Sequence, residues 1–163
     1  MAKFITAFLF LFVFSSCNST DSQREATEEN AMIDNQPIPE AVAILPEARV
    51  ILDQWPQFQS LENRMATLKE VESSEELKLI LEELSQICQQ VEENEFPELF
   101  ETPSIRSRIR VLRTYLGKLD ASLYYRTDSQ EPLLELQAAY NALRSQFNVI
   151  ISNTLTPELF NDE

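Results

Sequence analysis

From Ala41 onward the apolar residues recur every three or four places, in four runs separated by short polar breaks. That spacing lines side chains along one side of a helix with 3.6 residues per turn, whereas a half-buried strand alternates at every second residue. The first run, "EARVILDQWPQFQSLENRMATLKEV", carries Ile51, Trp55, Phe58, Leu61, Met65 and Leu68. Pro56 interrupts it and must end a first short helix or kink a long one, because proline has no N–H and clashes with the preceding turn. The second run opens at "SSEEL", where Ser73 or Ser74 is the cap and Glu75 and Glu76 face the positive end of the helix dipole. Its seam is Leu77, Leu81, Leu84, Cys88 and Val91. Two prolines in "EFPELFETPS" end that helix, and Thr102 followed by Pro103 makes a cap and first turn for the third. Ile105, Ile109, Leu112, Leu116, Leu119 and Leu123 then alternate four and three, and at about 100° per residue they stay within about 40° of one line. The fourth run starts at Pro132 and continues through Leu133, Leu136, Tyr140, Leu143, Phe147 and Ile150. Four stripes joined by short connections predict an all-α fold, an antiparallel four-helix bundle. The tetrapeptide "PELF" occurs twice, at Pro97–Phe100 and Pro157–Phe160, and both copies fall at one end of the bundle if the second and fourth helices run parallel.

Composition narrows the chemistry. The chain has one glycine, eight prolines and no histidine in 163 residues. Hairpins and phosphate-cradling loops both need glycine, so a β-rich fold or a glycine-rich nucleotide site is poorly supported. Without imidazole there is no Ser/His or Cys/His pair and no common transition-metal ligand set. No catalytic residue, cofactor or metal is expected. Consecutive glutamates such as Glu82 and Glu83, or Glu92 and Glu93, lie about 100° apart on a helix and read as solvated faces rather than a converging acid and base. Trp55 reads as core, with its N–H bonded locally.

The amino terminus is of another kind. Lys3 precedes "FITAFLFLFVF", an apolar run from Phe4 to Phe14, followed by "SSC" ending at Cys17. A bilayer-spanning helix needs about 20 apolar residues, whereas an export signal has a charged start, a shorter apolar stretch and small residues at its cleavage point. "FSSC" resembles the lipobox of bacterial lipoproteins, with Phe14 standing where that family usually carries an aliphatic residue. The resemblance implies a signal peptide over residues 1–16 and acylation of Cys17. Residues 17–40 then form a disordered acidic linker, whose roughly 22 flexible residues reach about 25 Å, and residues 41–163 form the bundle domain. "WPQFQSLENR", "FPELFETPSIRSRIRVLRTYLGKL" and "AYNALRSQFNVIISNTL" are further similar to a family of small helical lipoproteins of Bacteroidota-type bacteria, which implies location and fold but supplies no activity. With Cys17 acylated, Cys88 has no partner and reads as a small buried hydrophobe.

Charge is uneven along the chain, whose formal net charge is -14. Between Arg106 and Arg126 there are six basic residues and one acid, and between Glu70 and Glu101 there are eleven glutamates and one base, Lys78. Arg106, Arg110 and Arg113 share one flank of the third helix, so this flank is expected to lie along the acidic second helix. Nucleic acid is excluded as a partner by export, net charge and the absence of binding signatures. An anionic membrane surface is the stronger outside alternative for Arg113, Tyr115, Tyr124, Tyr125 and Arg126. Tyr140, Arg144 and Asn148 stand at i, i+4 and i+8 beside the fourth seam, so a cation lies close to the core. Its simplest reading is a guanidinium that snorkels or pairs with a glutamate, and the sharper one is an anionic-ligand pocket near Trp55. The expectation from these features is a non-enzymatic protein, held by N-terminal acyl chains to the cell envelope at the outer membrane's periplasmic or surface face. Its bundle would act as an interaction or scaffolding module toward an unidentified envelope protein. A lipid- or small-molecule-binding bundle is the alternative.

Overall fold

The computed structural model describes residues 37–160, with side chains described as far as Thr154. The predicted signal peptide, Cys17 and most of the predicted linker lie outside the described residues. Residues 37–45 run extended and lead into α1 (Pro46–Leu52), α2 (Pro56–Thr67) with a 3-10 turn at Leu68–Glu70, α3 (Ser74–Glu93), a second 3-10 turn at Glu98–Phe100, α4 (Pro103–Tyr124) and α5 (Gln130–Phe160). The protein is all-α, with no strand among the described residues.

Helices α2 to α5 form an antiparallel bundle. The short connections at 68–73, 94–102 and 125–129 turn each helix back along the one before, and side-chain pairs join the neighbours: Arg64 of α2 meets Glu83 of α3, Arg113 of α4 meets Glu92 of α3, and Lys118 of α4 meets Glu135 of α5. The ring closes where Phe58 of α2 sits edge-on to Phe147 of α5, with centroids 5.1 Å apart. Pro56 does what its chemistry demands. It opens α2, and Trp55 before it is extended at φ -109 and ψ 91, so the first predicted helix divides into α1 and α2. Ser73 caps α3 by accepting the Glu76 N–H at 3.2 Å, and Thr102 caps α4 by accepting the Ile105 N–H at 3.3 Å.

The seams are buried as their spacing predicts, with offsets of one residue at some ends. Leu52 and Ile151 are buried, whereas their neighbours Ile51 and Ile150 are half-buried, and Leu123 is half-buried while Ser122 is buried. A helix of 3.6 residues per turn drifts about 20° per heptad against a strict 3.5 repeat, which moves the inward position by one residue over several turns. Ile80 is buried beside Leu81 and widens the α3 face. The broader end of the core is aromatic: Trp55 lies 5.0 Å from Phe96, and Phe100 lies 4.7 Å from Phe147. Trp55 departs from expectation in one respect, since its buried indole N–H has no partner among the described residues. The rings of Phe58, Phe96 and Phe147 around it offer no acceptor oxygen. The first "PELF" supplies the second 3-10 turn and buries Phe100; the second closes α5, and its side chains lie outside those described.

Two residues carry predictions of their own. Gly117 sits mid-helix in α4, where an added Cβ meets nothing within 4 Å, so Gly117→Ala should stabilise the bundle by about 1 kcal/mol in denaturant titration. Cys88 is a free, fully buried thiol, pushed up to about 12 chiefly by burial, with the Glu92 carboxylate adding to it. Since the thiolate is the reactive form, a thiol reagent at pH 8 should label Cys88 only as fast as the bundle opens, and rapidly once denaturant is added.

Candidate functional site

One flank of α5 carries Gln130, Gln137, Asn141, Arg144 and Asn148, residues separated by multiples of about 3.5 and therefore stacked along one line. The extended segment 37–45, here called the strap, lies on this flank. Asn141 grips it twice: its Oδ1 accepts the Val42 N–H at 2.8 Å and its Nδ2 donates to the Glu40 carbonyl at 3.0 Å. Asn148 repeats the grip one step on, accepting the Leu45 N–H at 2.9 Å and donating to the Ala43 carbonyl at 2.8 Å. Between them Arg144 Nε donates to the Val42 carbonyl at 2.5 Å. The strap thus runs parallel to α5, and all five bonds go to its main chain. Ile38, Val42 and Ile44 are half-buried, while Pro37, Pro39, Glu40, Ala41 and Ala43 are exposed. Glu40 adds an ion pair to Lys69 at 2.6 Å. The ordered chain therefore begins before residue 41, because Ile38 already packs on the core.

Beneath the strap lies a polar node. Glu62 accepts both terminal nitrogens of Arg49, at 2.6 and 2.9 Å, and Arg144 Nη1 at 2.5 Å; the same Nη1 donates to the Tyr140 hydroxyl at 2.9 Å. The bidentate Arg49 guanidinium, with Arg144 beside it, holds the Glu62 carboxyl below its ordinary range despite partial burial. Arg49 is correspondingly raised by its bonds to Glu62, and burial pushes the Tyr140 hydroxyl up. Tyr140, Arg144 and Asn148 are therefore gathered on one flank, as their spacing predicted. Arg144 meets Glu62, the Tyr140 hydroxyl and the chain's own strap, and Asn148 meets the strap, so the simpler reading of Arg144 as a cation paired with a glutamate describes this node. Near Trp55, where the alternative reading set a pocket, the rings of Phe58, Phe96 and Phe147 lie with centroids 5.9, 5.0 and 6.4 Å from its own. Asn141 was missed by sequence reasoning, although its seven-residue separation from Asn148 is visible in the chain.

The basic helix α4 is neutralised only in part by α3. Arg113 pairs with Glu92 as its flank predicts, while Arg106 turns to Glu101 in its own cap region and lies 4.3 Å over the Phe96 ring. Lys118 pairs instead with Glu135 of α5, and that carboxylate raises the exposed ammonium. After α4 the chain reverses through Arg126, at φ 52, with Arg126 N–H on the Leu123 carbonyl at 3.2 Å and Thr127 N–H on the Ser122 carbonyl at 2.9 Å. This left-handed helix end usually employs glycine. Tyr124 and Tyr125 just before it are 79% and 72% exposed, their rings edge to face at 5.0 Å. Nearby, Ser122 and Ser129 share a buried hydroxyl bond at 2.9 Å, and the buried amide of Gln130 has no partner among the described residues for either its nitrogen or its oxygen.

Among the described residues no helix is long and apolar enough to cross a membrane, and no three metal-ligating side chains cluster. Comparison with family models, with curated proteins and with solved structures returns no match.

Proposed function

We propose that this is an exported, lipid-anchored protein of the cell envelope whose bundle serves as a protein-interaction module rather than an enzyme. The observation that carries the reading is the α4–α5 corner. Two tyrosines stand in solvent with their rings against each other, and the following arginine holds a left-handed backbone that glycine adopts more readily. Tyrosine and arginine dominate the anchors of protein interfaces, because each offers large area and a polar tip at small entropic cost. Backbone strain kept at an exposed position favours a role for that side chain. The anchor rests on "FSSC" and on the acyl chemistry of Cys17, where multiple chains at about 0.8 kcal/mol per buried CH₂ make attachment effectively permanent.

Two measurements test the reading. Cys17→Ser should abolish metabolic labelling with a fatty acid and release the protein from the membrane fraction; unchanged labelling refutes the anchor. Crosslinking in the intact envelope, from a photoreactive residue placed at Thr127, should give a discrete product that Tyr124→Ala with Tyr125→Ala reduces about tenfold without loss of helicity. An undiminished product removes the corner from the interface.

A further inference from the structure

The strap and its seat are separable halves of one recognition. The seat reads main chain through Asn141, Arg144 and Asn148, so on the polar side it selects an extended shape rather than a sequence. Side-chain selection comes from the half-buried Ile38, Val42 and Ile44 and from Glu40 beside Lys69. The strap joins the bundle only at Leu45–Pro46, and α1 beyond that joint is held independently by the fully buried Ala48 and Leu52. A pivot at this joint frees nine residues, about 30 Å of extended chain, without unseating α1.

We propose that the strap of one copy seats on the α5 polar flank of a second copy, so that neighbouring molecules exchange straps. A second copy is the favoured occupant because it carries the one segment whose backbone register, aliphatic spacing and acidic residue fit this seat. The contacts formed between copies equal those given up within each, so exchange is opposed mainly by the entropy of association. The inference deepens the reading of the bundle as an interaction module and is independent of the anchor and of the tyrosine corner.

Two variants of the full chain test it by complementation. Val42→Pro with Leu45→Pro removes the two strap N–H donors and leaves α5 intact; Asn141→Ala with Asn148→Ala removes the grips and leaves the strap intact. Each alone should sediment as a monomer, and an equal mixture at about 100 µM should give a one-to-one heterodimer at least tenfold more abundant than either homodimer. A labelled peptide of residues 37–45 should bind the strap variant at least tenfold more tightly than the variant carrying all four substitutions. If the double variants lose helicity, Val42→Pro and Asn141→Ala alone serve in their place. A monomeric mixture overturns the proposal. Peptide binding without heterodimer also overturns it and assigns the seat to another protein, and equal peptide binding to both variants overturns the seat itself. None of these failures touches the Cys17 or tyrosine-corner tests.

Discussion

Phe147→Ala should lower the stability of the bundle by about 4 kcal/mol, the largest effect expected of any single replacement here. Phe147 is fully buried and meets three other rings: Phe58 and Trp55 edge-on at 5.1 and 6.4 Å, and Phe100 tilted at 4.7 Å. These come from α2, the residue before it, and the connection between α3 and α4. Truncation therefore opens a void where three segments converge, and none can collapse into it without leaving the others. Phe147→Leu restores most of the volume and should cost about half as much. Urea titration followed by circular dichroism measures both; equal midpoints for wild type and Phe147→Ala would show that the aromatic end is not part of the cooperative core.

Glu62→Gln should come second, at about 3 kcal/mol near neutral pH. The loss arises less from the pairs given up than from what stays behind, because the Arg144 side chain is only 8% exposed and keeps its charge. The pH dependence has a definite sign. The folded-state carboxyl of Glu62 is held below its ordinary 4.5. Its contribution is thus fully present above that value and is lost as pH falls through the depressed folded one. Thermal midpoints of wild type and Glu62→Gln should differ by roughly 10 °C at pH 7 and converge in acid. A gap that stays constant down to pH 3 would remove Glu62 as the titrating member of the node.

The helices were legible in the chain because each announces itself locally. The stripe from Ile105 to Leu123, the Thr102–Pro103 start and the Pro56 break are all decided within one or two turns, and the structure places each accordingly. Arg144 was legible for a related reason: a cation beside a leucine stripe needs a counter-charge, and Glu62 supplies it. The strap was not legible. Its Ile38, Val42 and Ile44 alternate too sparsely, among prolines, to mark a strand, and its hydrogen-bond partners lie about a hundred residues away on α5. The unpartnered Trp55 N–H escaped for the opposite reason, since burying the ring among aromatics outweighs one absent bond, about 1–3 kcal/mol.

The parallel course of strap and α5 also sets how the domain resists load. A pull on the chain upstream of Pro37, directed along the helix axis, strains the five main-chain bonds together in shear. A sideways pull would open them one after another from Glu40 onward, like a zip. The same junction is therefore stiff along the bundle and yielding across it.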